Sequence, residues 1–169
     1  MKMKKLVALL LVLMMGVASM AFAEVQRVED PETGEYKEFE LDEKGSYLWT
    51  KDYRMDGTLF FETNFSNPEM TIMIDYDTKI VTVMTETETE YDSYDFDSEG
   101  NLVSGFRLVN NVSIQYNKET GKWCYVEWKE SVDKEGKYTS EAVYGDEVAA
   151  PDLSAHLAYL KELGLVKTE

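Results

Sequence analysis

The sequence predicts a mainly β protein: an antiparallel β-meander of about nine strands, curved into a barrel-like sheet or packed as a sandwich, with one C-terminal α-helix. From Tyr36 onward, apolar and polar residues alternate over short runs, which is typical of half-buried strands. Clusters of Asp, Asn and Gly end these runs and predict tight turns, because glycine adopts positive φ and Asp or Asn side chains accept backbone hydrogen bonds. Strands that follow one another through tight turns form a meander.

Each predicted strand has an apolar face. The residues that share such a face are Leu59, Phe61 and Phe65 in one strand, Met70, Ile72 and Ile74 in the next, and Val112, Ile114 and Tyr116 in a later one. The segment 123–128 has apolar residues on both faces, which predicts a strand in the middle of the sheet. Residues 80–91 form the longest run without a turn signal, and their alternating Thr and Glu residues predict a strand at a sheet rim.

The only helical pattern lies near the C-terminus, over residues 152–163. Pro151 and the following Asp152 are a start signal, and Gly164 is a stop signal. Leu153, Leu157 and Leu160 form a stripe along one side of the helix. We therefore expect this helix to pack on the sheet through its leucines.

The first 23 residues have the three parts of a secretory signal peptide. Residues 1–5 are basic, residues 6–15 are apolar, and Ala21-Phe22-Ala23 is a cleavage site of small residues. The sequence thus predicts export to the periplasm or the medium of a bacterium, with a mature chain that begins at Glu24. Residues 24–34 are polar and contain Pro31 and Gly34, which predicts a flexible leader, and residues 35–169 are predicted to form a single β-rich domain.

The predicted mature chain is strongly acidic. The whole sequence has 17 basic and 33 acidic side chains; loss of three lysines with the signal peptide leaves 14 basic side chains and a formal net charge of −19. This charge repels phosphate backbones and anionic lipids, so nucleic acid is excluded as an expected partner and a cationic partner is favoured.

Cys124 is the single cysteine. It allows no intrachain disulfide, and it lies far from the cleavage site, so no thiol is present there for lipid attachment. We therefore expect no stable membrane anchoring after cleavage. With His156 as the single histidine, a structural zinc cluster of His and Cys ligands is also excluded within one chain.

The segment 95–102 matches the first part of a calcium-binding loop. Asp95, Asp97 and Glu99 stand at alternate positions, and Gly100 follows where the loop turns sharply. The match ends at Phe106, which stands where a bidentate glutamate is required. No cofactor is therefore predicted, and calcium bound by the three carboxylates is the alternative.

Part of the same segment resembles a known repeat. Tyr94-Asp95 followed by Gly100-Asn101-Leu102 is similar to one unit of the tyrosine-aspartate hairpin repeats of bacterial surface and toxin-shell proteins. The resemblance covers about nine residues and implies a hairpin at this position. It carries no family function to this chain.

Aromatic residues provide the candidate binding platform. Trp123, Tyr125, Tyr47 and Trp49 lie on strand faces where their rings can contact a peptide or a sugar. The main hypothesis is an exported, soluble, non-enzymatic binding module for a protein, peptide or glycan. The alternatives are a carrier of a small apolar ligand inside a closed barrel and an acid-dependent hydrolase that uses a pair of carboxylates.

Overall fold

The computed structural model describes residues 25–132 and 136–167, so the predicted signal peptide lies outside the described residues. Eleven antiparallel strands form one open sheet in which the spatial order equals the sequence order. The strands are β1 (Gln26–Glu29), β2 (Tyr36–Leu41), β3 (Tyr47–Tyr53), β4 (Leu59–Asn67), β5 (Met70–Asp75), β6 (Ile80–Glu86), β7 (Glu90–Phe96), β8 (Leu102–Val109), β9 (Val112–Asn117), β10 (Lys122–Val132) and β11 (Tyr138–Val148). The helix α1 spans Ser154–Glu162. The predicted antiparallel meander with a C-terminal helix is confirmed.

The sheet has two more strands than the nine or so that the sequence predicts. The first of the two lies in the segment predicted to be a flexible leader. Residues 26–29 instead form β1, which pairs with β2 and places Glu29 opposite Tyr36. Residues 30–34 are the turn between the two strands: the Gly34 N–H donates to the Asp30 backbone carbonyl at 2.8 Å. Proline and glycine here mark a tight turn, and β1 is too short to show an alternating pattern.

The second additional strand comes from the long run after Ile80. A turn at residues 87–89 divides this run into β6 and β7. The side chain of Thr87 supports the turn, since its Oγ1 accepts the Glu90 N–H at 3.1 Å. Threonine can cap a turn in this way without glycine or proline nearby, so alternation alone does not reveal the break.

The other turns are built as their Asp and Asn residues predict. In six of them the side-chain Oδ1 accepts the backbone N–H of the second residue on, over 2.8 to 3.0 Å: Asp42, Asp56, Asn67, Asp75, Asp97 and Asn117. These bonds satisfy backbone donors that the strand ladders leave unpaired. Each of these six hairpins thereby closes with a side chain from its own turn.

The hydrophobic core lies where α1 covers the middle of the sheet. It contains buried residues of five elements and of the segment after the helix: Ile72, Ile74, Val81, Val83, Tyr94, Phe96, Trp123, Leu160 and Val166. Leu153 and Leu157 pack against this core, and Leu160 is fully buried, as the leucine stripe predicts. In the described part of the chain, no helix is long and apolar enough to cross a membrane.

The ends of α1 follow the predicted signals with small shifts. Asp152 precedes the helix, and its Oδ1 accepts the Ser154 N–H at 2.9 Å. Gly164 ends the helix in the left-handed region, with φ of +70°. The chain then turns back onto the β7–β8 turn, where the Lys167 N–H donates to the Ser98 carbonyl at 3.0 Å.

A glycine on β8 makes room for the largest core side chain. A Cβ atom added at Gly105 would lie 2.2 Å from Cη2 of Trp123, well inside van der Waals contact. The Trp123 ring lies over this glycine and contacts the rings of Tyr94 and Tyr116, with centroids 5.9 and 5.7 Å away. Gly105 is therefore required by close approach of a side chain and not by backbone conformation.

We expect Gly105→Ala to lower the free energy of unfolding by about 3 kcal/mol, because the methyl group displaces Trp123 from a closely packed core. Urea denaturation followed by far-UV circular dichroism measures the change. Gly145→Ala is the matched control: Gly145 is also on a strand, an added Cβ would meet Tyr125 only at 3.7 Å, and the change should stay within about 0.5 kcal/mol. Equal effects of the two substitutions would contradict the packing assigned to Gly105.

Candidate functional site

The two predicted platform residues on β10, Trp123 and Tyr125, differ in how far they are buried. Trp123 is only 4% exposed and belongs to the core, so its assignment to an exposed platform is wrong. Tyr125 lies two residues further along the same strand and is 46% exposed. The physical reason is the position of the core around α1. This core includes Trp123 but not Tyr125, which is the next residue on the same face of β10.

The predicted platform residues on β3 also have different surroundings. A β-bulge between Glu40 and Leu41 breaks the regular pairing of β2 with β3 at this point. Tyr47 contacts Phe39, with ring centroids 5.4 Å apart, and is 49% exposed. Trp49 instead donates its indole N–H to Glu40 at 2.8 Å. The two rings therefore do not form one flat surface.

The three carboxylates of the calcium hypothesis each have a partner within the protein. The Thr82 hydroxyl donates to Asp95 at 2.7 Å, and Asp97 accepts backbone N–H groups of its own turn, which lowers its pKa through bonds from Asn101 above all. Glu99 forms an ion pair with Lys167. Among residues 25–132 and 136–167, no group of three His, Cys, Asp or Glu side chains is placed to hold a metal ion.

A groove at the N-terminal end of the sheet is the best candidate site. It has a volume of about 480 Å³ and lies among β1, β2, β3 and the start of β4. Its lining residues include five aromatic residues: Tyr36, Phe39, Tyr47, Tyr53 and Phe60. Tyr36 and Tyr53 pair directly across β2 and β3 and share one face of the sheet, whereas Phe39 lies on the opposite face. We call it the N-terminal groove. Its size is within the range of sites that bind small molecules or individual side chains.

The charged side chains of the N-terminal groove are mostly acidic. Four carboxylates line it, from Glu29, Asp30, Glu35 and Asp52, together with the ammonium group of Lys37. Lys37 pairs with Asp52 at 3.2 Å on one face of β2, and Glu29 lies opposite Tyr36 on the other face. Glu29 therefore places negative charge beside the Tyr36 ring. Carboxylates next to exposed aromatic faces favour the binding of organic cations.

Arg27 shows how this combination holds a guanidinium group. Its Cζ lies 3.5 Å from the centroid of the Tyr36 ring, and its Nη2 lies 3.4 Å from a carboxylate oxygen of Glu29. The other partner of the Tyr36 ring is Tyr53, stacked with an interplanar angle of 11° and a centroid distance of 4.7 Å. A side chain of this protein thus already makes the contacts that an arginine of a partner would make.

The neighbouring tyrosines remain protonated well above neutral pH. Burial and the Glu38 carboxylate raise the pKa of Tyr53. Burial, followed by a hydrogen bond to Glu62 at 3.0 Å, raises the pKa of Tyr76 to about 12. The phenols of Tyr53 and Tyr76 therefore contribute no negative charge near neutral pH.

Sequence reasoning found only Tyr47 among the aromatic residues of the N-terminal groove. Tyr36 and Tyr53 become neighbours through the register of β2 with β3, which pairs them directly. Tyr36 stands six residues before Asp42 and Tyr53 eight residues after Gly45, so equal spacing about the turn does not predict this pair. The bulge between Glu40 and Leu41 shifts the register and brings the two tyrosines opposite each other. Arg27 was missed because β1 was predicted to be a flexible leader.

A second cluster of titratable groups lies where α1 contacts the sheet. Asp92 accepts hydrogen bonds from Tyr94 and Arg107, each at 3.0 Å. The His156 ring packs edge-on against Tyr94, with centroids 5.2 Å apart, and its Nδ1 is buried without a hydrogen-bond partner among the described residues. Burial raises the pKa of Tyr94 and lowers the pKa of His156. The contact between Tyr94 and His156 joins the helix to the sheet, and Asp92 pairs with Arg107 beside it.

The carrier hypothesis requires a closed interior, and the described strands do not close. β1 and β11 lie at opposite ends of the strand order. The covered region between the sheet and α1 is filled by side chains such as Ile72, Val83 and Leu160, which are at most 1% exposed. The space for a ligand is therefore on the open surface.

Comparison of the chain with family models, with curated proteins and with solved structures finds no match.

We expect the stability of the protein to fall as the pH decreases below about 6.5, the ordinary pKa of histidine. Because burial lowers the pKa of His156 in the folded state, the unfolded chain binds its proton first. Asp92 and Asp152 oppose this shift and Arg107 adds to it. Thermal unfolding at pH 7.5 and 5.5 measures the loss.

The matched variant is His156→Phe, which keeps an aromatic ring against Tyr94 and removes the titrating group. Its melting temperature should fall less between pH 7.5 and 5.5 than that of the wild type, since His156 is the only histidine of the chain. Identical pH dependence in the two proteins would exclude a contribution from His156.

Proposed function

We propose that this protein is an exported, non-enzymatic binding module that recognises basic polypeptide partners at the N-terminal groove. The observation that carries this proposal is the Tyr36 face of the groove, where the stacked rings of Tyr36 and Tyr53 lie beside Glu29. The contact of Arg27 with Tyr36 and Glu29 supports a guanidinium group as the ligand. The export signal and the acidic composition support a cationic partner outside the cytoplasm.

A basic side chain suits the groove better than an anion or an apolar chain. The net charge of the complete sequence is −16 at pH 7, which attracts cations and repels anions over the Debye length. The stacked rings of Tyr36 and Tyr53 provide contact area at a low entropic cost, because each ring has two rotatable side-chain bonds. Attraction by charge and stacking on a ring together distinguish an arginine from other side chains.

We expect an acetylated tetra-arginine amide to bind the folded protein at low ionic strength and to bind more weakly as salt is added. Tyr36→Leu should weaken binding about fivefold, in line with the loss of about 1 kcal/mol for a cation–π contact. Tyr36→Phe should retain affinity within about twofold, because a phenyl ring keeps the electron-rich face. Isothermal titration calorimetry measures the three affinities.

Arg27→Ala gives the sharper test, because the guanidinium group of Arg27 competes with the ligand for Tyr36. The substitution should increase the affinity for tetra-arginine. Lys44→Ala is the control for the change in charge, since Lys44 is exposed in the β2–β3 turn and outside the groove. Equal gains in the two variants, or tetra-glutamate binding as well as tetra-arginine, would refute the proposed site.

A further inference from the structure

The last two strands extend beyond the rest of the sheet. β9 pairs only with the first part of β10, from Lys122 to Tyr125. β11, in contrast, pairs with β10 as far as Val132. Residues 126–132 and 138–144 therefore form a two-stranded ribbon, which we call the terminal arm.

One face of the terminal arm is mainly apolar. The register places four pairs on it: Val126 opposite Tyr144, Trp128 opposite Ala142, Glu130 opposite Ser140, and Val132 opposite Tyr138, so one polar pair interrupts three apolar ones. The intervening pairs on the other face contain mostly polar residues: Glu127, Lys129, Ser131, Thr139, Glu141 and Val143. The terminal arm is thus amphipathic, as a strand pair is when one face packs on another layer.

Beyond Val126, which is buried, the apolar face is exposed in the described structure. Trp128 is 50% exposed, Val132 is 55% exposed and Tyr138 is 78% exposed. Isolated two-stranded ribbons are marginally stable in water, and contiguous exposed apolar residues mark interaction surfaces. The terminal arm therefore gains most from a partner that covers this face.

The backbone of β11 determines the form of such a partner. β11 is the last strand in the sheet, so the edge that faces away from β10 carries alternate N–H and C=O groups over 11 residues. β1, at the other end of the sheet, offers only four residues. A long edge without proline is suited to the addition of an extended polypeptide as a further strand.

Charge determines the composition of the partner. β10 and β11 contain five acidic residues and two lysines, and one of the lysines, Lys122, is paired with Glu147 at 2.6 Å. A second copy of this chain would bring the same negative charge to the interface. An extended segment that contains basic residues is complementary to it.

We propose that the terminal arm binds an extended basic polypeptide segment, which pairs with the free edge of β11 and places apolar side chains against Trp128, Tyr138 and Tyr144. This proposal does not depend on ligand binding in the N-terminal groove. Backbone hydrogen bonds supply affinity that is independent of sequence, and the apolar contacts set the register of the bound segment.

The probe is a fluorescein-labelled peptide of 11 residues in which lysine and valine alternate. We expect it to bind at low ionic strength, as measured by fluorescence anisotropy, and to slow the hydrogen exchange of β11 amides at least tenfold. The same peptide with its central valine replaced by proline should bind at least tenfold more weakly, because proline lacks the backbone donor and disrupts strand pairing.

The double substitution of Trp128→Ser and Tyr138→Ser should weaken peptide binding at least tenfold without unfolding the protein, because both side chains are at least half exposed. Tyr125→Ser is the matched control: Tyr125 is exposed on the opposite face of β10, and its loss should change affinity by less than about twofold. Tyr36→Leu should likewise leave this binding unchanged, which separates the terminal arm from the N-terminal groove.

Three results would overturn the proposal: equal binding of the lysine–valine peptide and a glutamate–valine peptide, unchanged hydrogen exchange in β11, or a concentration-dependent dimer that protects β11 in sedimentation and exchange experiments. The last result would assign the apolar face to a second copy of the chain.

Discussion

The packing of α1 on the middle of the sheet is the interaction on which the rest of the structure depends. A helix of nine residues is about 14 Å long, whereas eleven strands extend about 48 Å across a sheet. One helix therefore covers only part of the sheet, and the core around it includes buried residues from β5 to β10. The burial of Leu160, Ile72 and Val83 is complete within this region. Both ends of the sheet must be stabilised without a second layer.

The N-terminal end is stabilised by contacts between neighbouring strands. Tyr36 stacks on Tyr53, Lys37 pairs with Asp52 at 3.2 Å, and Lys51 lies 3.7 Å from Glu62. Cross-strand pairs of this kind contribute about 0.2 to 1 kcal/mol each, so many are needed to hold one strand against the next. The aromatic and charged residues of the N-terminal groove thus serve the fold, and the proposed binding of cations uses the same rings and carboxylates. Because Tyr36→Phe retains the ring that stacks on Tyr53, this substitution leaves the cross-strand contact in place.

The local parts of the fold were predictable from the sequence. Turns such as those at Asp42 and Asp97 are closed by side chains of the turn itself, so a few residues contain the whole cause. Burial was less predictable, because alternation gives the face of a side chain and not what covers that face. Trp123 and Tyr125 share a face of β10, yet only Trp123 belongs to the core around α1. The ion pair of Glu99 with Lys167 was likewise not predictable, because the two residues are far apart in the sequence.

The same geometry explains why the binding surfaces belong at the ends of the sheet. Side chains fill the covered middle, and Trp123 occupies the space above Gly105, so that region has no room for a ligand. The N-terminal groove and the terminal arm lie near opposite ends of the strand order and share no residues. Substitutions at one should therefore act independently of substitutions at the other. A basic polypeptide long enough to reach both would gain affinity through effective concentration, and shorter partners would bind each surface separately.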